Sequence, residues 1–144
     1  MKVRNIIGDK GRVVATIRSE SSISTATNLL KLKGIGALVV SEDGSQVAGI
    51  ISERDIVRGL VDHDHELLDM RVSELMTRTV KTCALDADVT EIMGEMTRSR
   101  FRHLPVLEKG ALVGIVSIGD VVKNRLGELE TETNVLRDYI VGRS

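Results

Sequence analysis

Two short segments place a serine and an aspartate at the same spacing, directly after an apolar run. They are residues 49–56, GIISERDI, and residues 114–121, GIVSIGDV. In each segment the apolar run predicts a buried strand, and Ser-x-x-Asp predicts the start of a helix. The carboxylate of Asp55 or Asp120 can accept hydrogen bonds from the vicinal hydroxyls of a ribose. The N-terminus of the helix that follows favours a phosphate, so the paired motifs indicate nucleotide binding.

The same residues also have a structural interpretation. Ser52 and Ser117 can cap the helices, with Asp55 and Asp120 satisfying backbone donors of the first turn. Capping and ligand binding are compatible, because a capping carboxylate keeps acceptor capacity. Ser-x-x-Asp recurs at both sites although neighbouring positions differ, which favours a role beyond capping.

Other polar groups are weaker candidates for chemistry. Gly34-Ile35-Gly36 begins like a dinucleotide-binding motif, but it precedes a strand and lacks the third glycine. Residues 63–66, HDHE, have metal-ligating side chains in a polar connector that fixes no ligand geometry, so a solvated connector is favoured. No nucleophile with an orienting group can be assigned to His103. The sequence therefore assigns no catalytic residue, no metal and no catalytic cofactor.

Three arginines and one cysteine complete the candidates. Arg98 and Arg100 suit the solvated end of a helix, whereas Arg102 opens a strand and is a candidate either for phosphate contact or for solvent exposure. Cys83 lies in an alternating apolar run, which favours a buried structural thiol. As the single cysteine it excludes an intramolecular disulfide.

An internal repeat determines how these residues are positioned. Residues 14–44 align with residues 80–110, and after one inserted residue near Gln46 residues 49–57 align with residues 114–122. The lead-in segments VRNII (3–7) and VSELM (72–76) also correspond. Each copy predicts the order strand, helix, strand, strand, helix.

The predicted elements have local signals. First strands are expected at 13–17 and 79–83, and first helices near Ser22 and Asp88. The next two strands, at 37–40 and 47–51 in one copy and 103–107 and 112–116 in the other, are joined at Asp43-Gly44 and Lys109-Gly110, which suit tight hairpins. Closing helices begin at Glu53 and Ile118, and residues 61–71 form a polar connector. One copy has too little core to stand alone, so two should pack about a pseudo-twofold axis in an α/β protein.

The amino-acid composition limits the classes of function that this chain can have. Apolar residues make up 42% of the 144 residues and charged residues 28%, which is typical of a globular protein. A formal charge of −1 and only two aromatic residues, Phe101 and Tyr139, argue against nucleic-acid binding. No apolar stretch reaches membrane-spanning length and no secretory segment is evident, so a cytoplasmic protein is expected.

The duplicated order of elements, the Gly-h-h-Ser-x-x-Asp-h motifs (h, apolar) and RHLPV at 102–106 resemble a tandem pair of CBS domains, named for cystathionine β-synthase. The resemblance covers about residues 3–126 and implies a stand-alone CBS-pair protein, with repeats at 3–62 and 72–126 and a C-terminal extension of the last helix at 127–144. It further implies a non-catalytic regulatory or energy-sensing module that binds AMP, ADP, ATP, NAD(H) or S-adenosylmethionine. The alternatives are a ligand-free scaffold and an enzyme acting on a nucleotide, although the chain has no room for a catalytic barrel.

The resemblance also implies two composite clefts, each using the Ser-x-x-Asp of one repeat and strands of the other. One cleft is expected to use Ser52, Asp55, Lys81, Thr82, Arg102 and His103. Its twin is expected to use Ser117, Asp120, Ala15, Thr16, Gly36 and Ala37, with Arg54 facing phosphate. Gly119 stands where Arg54 stands in the first copy, so unequal affinities are expected. Adenine is expected to lie between aliphatic side chains.

The pattern of apolar residues in the last helix predicts that the chain forms an oligomer. Its apolar positions have a three-four spacing interrupted by Thr133: Val122, Leu126, Leu129, Leu136 and Ile140. A helix folded onto its own domain explains part of this pattern. Because the pattern runs past the repeat, and because CBS modules pair, a homodimer is the prediction.

Overall fold

Two three-stranded sheets, one in each copy of the repeat, form the framework of the protein. The computed structural model describes residues 1–11 and 13–141. Its helices are α1 (Val3–Lys10), α2 (Ile23–Lys33), α3 (Glu53–His63), α4 (Val72–Leu75), α5 (Val89–Ser99) and α6 (Ile118–Ile140). Its strands are β1 (Thr16–Ile17), β2 (Ala37–Val40), β3 (Gly49–Ser52), β4 (Cys83–Ala84), β5 (His103–Glu108) and β6 (Ala111–Ser117). In each sheet the first strand pairs in parallel with the second, which pairs antiparallel with the third.

The helix starts fall where the capping residues predict them. Ser22 Oγ accepts a hydrogen bond from Thr25 N at 3.1 Å, and Asp88 Oδ1 accepts one from Thr90 N at 3.2 Å. α3 and α6 begin at Glu53 and Ile118, as expected. These starts are predictable because a cap is a local interaction between residues two or three positions apart.

The first strands are shorter than expected. β1 and β4 have two residues each, where 13–17 and 79–83 were predicted, and β4 ends one residue later. Each pairs along one side only, through Thr16↔Val39 and Ile17↔Val40 in the first sheet. Val13 is 98% exposed, so the alternating pattern at the start of this segment does not bury a side chain.

The two predicted hairpins differ. β5 and β6 are joined by Lys109 and Gly110, both with positive φ, which confirms the tight turn. The prediction of a tight hairpin at Asp43-Gly44 is wrong, because residues 41–48 form an eight-residue loop. Asp43 Oδ1 accepts from Ser45 N at 2.8 Å and from Gln46 N at 2.9 Å, and this local network organises a longer loop that takes up the inserted residue.

The two lead-in helices are exchanged between the copies, because each packs against the core of the other copy. α1, which precedes the first copy, contributes Val3, Ile6 and Ile7 to the core of the second copy. α4, which precedes the second copy, contributes Val72 to the core of the first. Backbone hydrogen bonds fix both arrangements, from Val3 N to Ala87 O at 2.9 Å and from Val72 N to Ser21 O at 2.8 Å. The exchange is reciprocal, as the pseudo-twofold relation of the repeats requires.

The segment between the repeats is more ordered than a polar connector. α3 runs to His63 and is followed by a 3-10 helix, Asp64–Asp69. Leu67 is only 1% exposed and belongs to the core of the first copy. The polar connector predicted at 61–71 is therefore partly docked, because Leu67 is buried in the core of the first copy and Met70 packs against it.

Candidate functional site

A cleft of about 520 Å³ opens between the two copies. The first copy contributes the end of β3 and the first turns of α3. The second contributes the segment before β4 and the junction between α5 and β5. The lining residues are Gly36, Ile50, Ser52, Glu53, Arg54, Asp55, Arg58, Thr77, Thr79, Val80, Lys81, Ser99, Arg100, Phe101, Arg102 and His103. We call this the first cleft.

Ser52 and Asp55 form a capping box at the edge of the first cleft. Ser52 Oγ accepts from Asp55 N at 3.3 Å, while Asp55 Oδ2 accepts from Ser52 N at 2.9 Å. Thr77 Oγ1 donates to Asp55 Oδ1 at 3.2 Å, a longer contact from a hydroxyl that can rotate. Capping therefore engages mainly one carboxylate oxygen, and the other keeps capacity to accept from a ligand hydroxyl.

Five exposed cationic side chains line the first cleft. They are Arg54, Arg58, Lys81, Arg100 and Arg102. Within residues 1–11 and 13–141 none of the five side chains forms an ion pair or a hydrogen bond. The acidic lining residues are Glu53 and Asp55. A concave surface with this excess of unpaired positive charge attracts anions, and guanidinium groups suit phosphate oxygens.

His103 lies where the two copies meet. A Cβ placed on Gly36 would lie 3.4 Å from His103 Nε2, so the start of β5 approaches the residue before β2 closely. Burial, and then the charge of Lys10, lower the pKa of His103 against the opposing effects of Glu53 and Asp120. The ring is therefore neutral at pH 7 and adds no sixth charge, but it offers one nitrogen donor and one acceptor.

Ser117 and Asp120 form the same capping box in the second copy. Asp120 Oδ2 accepts from Ser117 N at 2.9 Å, and Ser117 Oγ accepts from Asp120 N at 3.1 Å. Here, however, Lys10 Nζ donates to Asp120 Oδ2 at 2.7 Å and to Ile115 O at 3.0 Å. Burial acts to raise the pKa of Asp120, but the Lys10 ammonium and the Ser117 amide outweigh it and hold this pKa below its ordinary value.

The surroundings of Asp120 differ from those of Asp55. Asp120 lines a groove of about 670 Å³ between α1 and α6. The other lining residues of this groove are Met1, Ile6, Asp9, Lys10, Lys123, Asn124, Gly127, Glu128, Thr131 and Glu132. Four acids line this groove against two lysines and the N-terminal amine, so it lacks the positive excess of the first cleft.

The structure brings together five residues expected in one cleft: Ser52, Asp55, Lys81, Arg102 and His103. Thr82, expected with them, does not line that cleft. Arg54 and Gly36 were expected in the twin cleft but line the first one. Arg54 lies two residues after Ser52 in the first turn of α3, and Glu53 N donates to Gly36 O at 3.0 Å, so both Arg54 and Gly36 stay close to Ser52.

The rest of the expected twin cleft is not assembled around Asp120. Ala15, Thr16 and Ala37 line neither the first cleft nor the groove between α1 and α6. Ala37 is 4% exposed and belongs to the interior of the first sheet. Ser117 itself is half-buried and does not line the groove that contains Asp120.

Three residues that line the first cleft, Arg58, Arg100 and Phe101, were not among the site residues predicted from the sequence. Arg58 lies one helical turn after Arg54, a spacing that could have indicated a second cation on the same face. Arg100 was assigned to solvent, but its left-handed backbone, with φ of 60°, ends α5 at the cleft. Phe101 adds an aromatic ring where only aliphatic side chains were expected around a base.

Two other kinds of feature are absent from the described residues. No helix within residues 1–11 and 13–141 is long and apolar enough to cross a membrane. In the same ranges, His, Cys, Asp and Glu side chains form no group of three or more that could hold a metal ion.

Comparison with known proteins gives a consistent result. A family model described as "CBS domain" matches residues 6–62 and 72–127. The crystal structure of a CBS-domain-containing protein from Agrobacterium tumefaciens is 42% identical, with a TM-score of 0.83 over 87% of this chain and 99% of that one. The CBS domain pair of protein MJ0100, crystallised with 5-methylthioadenosine and S-adenosyl-L-methionine, is 27% identical, with a TM-score of 0.78 over 89% and 98%.

A curated relative from Arabidopsis thaliana, the mitochondrial CBS domain-containing protein CBSX3, is 34% identical over 128 residues, which is 86% of this chain and 62% of that protein. Across three curated relatives the chain spans 66%, 62% and 49% of their lengths. These relatives thus contain further sequence outside the matched region.

Proposed function

The chain belongs to the CBS-domain family and carries two CBS domains, and from this premise we propose that it is a non-catalytic regulatory module that binds an adenine nucleotide in the first cleft. CBS-pair proteins are commonly regulatory and ligand-binding. A ligand regulates such a module only through a difference in affinity between two of its states. We further propose a homodimer in the cytoplasm, where adenine nucleotides are abundant.

The observation that carries the proposal is the set of five unpaired cations around the Asp55 carboxylate. Asp55 can accept from the ribose hydroxyls, while the arginines and Lys81 face an anionic group. Ile50, Val80 and Phe101 supply apolar surface for a purine. One cleft thus offers complementary chemistry for all three parts of a nucleotide.

The charge of the cleft narrows the ligand class. The MJ0100 pair binds S-adenosyl-L-methionine, whose sulfonium is positively charged. In this chain a sulfonium would lie among Arg54, Arg58 and Arg100, which is electrostatically unfavourable. Ligands with phosphates, namely AMP, ADP, ATP or NAD(H), therefore fit better than S-adenosylmethionine, and binding should strengthen with phosphate number.

Titration calorimetry with ATP, AMP, adenosine and S-adenosylmethionine tests the proposal. Replacing both Arg58 and Arg100 by Ala should weaken ATP binding by on the order of tenfold or more and leave adenosine binding unchanged. Arg98→Ala is the matched control, because Arg98 is a neighbouring arginine outside the cleft.

Asp55→Asn separates the ribose from the phosphate contribution. The amide preserves the shape of the capping box but removes the charge, so ATP and adenosine binding should weaken together, roughly five- to hundredfold. Failure of the parent protein to bind any of the four compounds, or to retain an adenosyl compound in native mass spectrometry, would contradict nucleotide binding and favour a ligand-free scaffold.

A further inference from the structure

The helix α6 has two faces of different character. Toward the body of the protein, Val121 is buried and Asn124 and Glu128 are half-buried. Glu128 also contacts the N-terminal amine at 3.7 Å and accepts from Arg125 Nη1 at 2.8 Å. The opposite face carries exposed apolar side chains, so contacts with the body leave it uncovered.

The exposed face follows a heptad pattern. The positions are Val122, Leu126, Leu129, Thr133, Leu136 and Ile140, which alternate in steps of four and three along α6. Leu129, Leu136 and Ile140 are 42%, 61% and 78% exposed. A heptad pattern of this kind forms the seam of a coiled coil, in which the named positions alternate between d and a.

The C-terminal half of α6 needs a partner to be stable. Every residue from Leu129 to Val141 is exposed. Isolated helices of about a dozen residues are marginal in water, and helical stability in proteins comes mostly from packing of an amphipathic face. The seam residues provide such a face, and burying them would compensate for ordering this half of the helix.

The charges beside the seam indicate which partner and which orientation. In a parallel, in-register pair each g position faces the e position five residues later on the other helix. Glu132 then faces the partner's Arg137, and Arg125 faces the partner's Glu130. In a fully overlapping antiparallel pair, Glu132 would instead face the same glutamate of the partner. The charges therefore complement each other between two copies of this chain in the parallel arrangement.

We propose that α6 joins two copies of this chain in a parallel, in-register coiled coil through residues 122–140. Thr133 would meet its own counterpart in the middle of the seam, a polar layer that helps to fix register. The C-terminal ends of the two α6 helices then lie at the same end of the coiled coil. This inference rests on the proposed homodimer and adds the surface, orientation and register of the contact, none of which depends on nucleotide binding.

Sedimentation of the ligand-free protein at micromolar concentration tests the assembly. We expect a dimer, and replacement of Leu129 and Leu136 by Asp should give a folded monomer. Val57→Asp is the matched control, because Val57 is an equally exposed apolar residue on α3, and it should remain dimeric. A monomeric parent, or a monomeric Val57→Asp, would overturn the proposal.

Charge exchange tests the pairing itself. Glu132→Arg or Arg137→Glu alone should weaken dimerisation by roughly five- to tenfold, and the two together should restore it. A double variant no tighter than the single variants would overturn the parallel pairing.

A disulfide tests the register. Leu136→Cys, in a chain with Cys83→Ser, should oxidise to a covalent dimer, because equivalent d positions approach closely in a parallel pair. A sedimenting dimer that does not cross-link at this position would overturn the in-register arrangement.

Discussion

Lys10 Nζ lies 2.7 Å from Oδ2 of Asp120, whereas the equivalent Asp55 accepts from Ser52 of its own capping box and, outside that box, from the neutral hydroxyl of Thr77 at 3.2 Å. The difference comes from the lead-in helices. α1 has eight residues and ends at Lys10, while α4 has four and ends at Leu75. The extra turn of α1 thus places Lys10 beside Asp120, whereas the shorter α4 places no lysine beside Asp55.

Removal of the Lys10 charge should open a second site for an uncharged nucleoside. With Asp120 Oδ2 held by an internal cation, we expect the parent protein to bind one adenosine per chain, in the first cleft. Lys10→Met should bind two, because loss of the ammonium frees Asp120 Oδ2 and the space beside it for the ribose hydroxyls, and adenosine carries no phosphate for the acids of this groove to repel. Native mass spectrometry and calorimetry would count the sites.

Lys123→Met is the control for this experiment, since Lys123 lines the same groove and forms no ion pair there. It should leave the stoichiometry at one. Two sites in the parent, or one site in Lys10→Met, would show that Lys10 does not restrict the second acid.

The contact between Lys10 and Asp120 should make stability depend on acid pH. Because the pKa of Asp120 is lowered in the folded protein, its contribution to stability is complete above the ordinary value of 3.8 and is lost as pH falls through the lowered value. In urea unfolding, the parent should therefore be more stable than Asp120→Asn at pH 7, and this difference in unfolding free energy should shrink as the pH falls below 3.8. An equal difference at pH 7 and below pH 3.8 would contradict the assignment. In a Lys10→Met background the difference should be smaller at every pH.

Cys83 should be chemically inert in the folded protein. Burial, and then the charge of Glu95, raise the pKa of its thiol to about 11, so the thiolate is scarce at pH 8. Alkylation by iodoacetamide should be slower than for a free thiol by on the order of a hundredfold, and mass spectrometry would follow it. The protein unfolded in urea serves as the control and should react at the ordinary rate. Rapid labelling of the folded chain would contradict this expectation.

Gly49→Ala should destabilise the join between the two copies next to the first cleft. A Cβ at Gly49 would lie 2.8 Å from Thr77 O, a backbone atom that also accepts from Ile50 N at 3.0 Å. Relief of the clash requires movement of backbone, so we expect a loss of about 1–3 kcal/mol in unfolding free energy.

Gly8→Ala is the control for Gly49→Ala. A Cβ at Gly8 meets nothing within 4 Å, and alanine favours a helix interior, so this variant should be neutral or more stable by up to about 1 kcal/mol. Equal stability of Gly49→Ala and the parent would show that the approach to Thr77 is easily relaxed.

The elements of the fold were predictable where their signals are local. Ser22 and Asp88 cap helices within two or three residues, and the Lys109-Gly110 turn follows from two adjacent residues. The placement of Arg54 was not predictable in this way. Which cleft receives a side chain of α3 depends on how the two copies pack, and that arrangement leaves no periodic pattern in the sequence.

The partner of Asp120 was beyond sequence reasoning for a related reason. Lys10 and Asp120 are 110 positions apart. Nothing in the N-terminal segment distinguishes Lys10 from other surface lysines until α1 is known to pack on the second copy. Leu67 is a similar case, since nothing distinguishes it from the neighbouring Leu68 until the core of the first copy is known to receive it.

The exchange of the lead-in helices has a consequence for synthesis of the chain. The core of the second copy needs Ile6 and Ile7 from α1 and Val116 and Val121 from β6 and α6. On the ribosome, α1 must therefore wait without its native partners until β6 and the start of α6 have emerged. The first copy obtains α4 soon after its own strands are complete. Maturation is thus ordered from the first copy to the second, and a nascent chain stopped before Val121 would leave the apolar face of α1 open to chaperones.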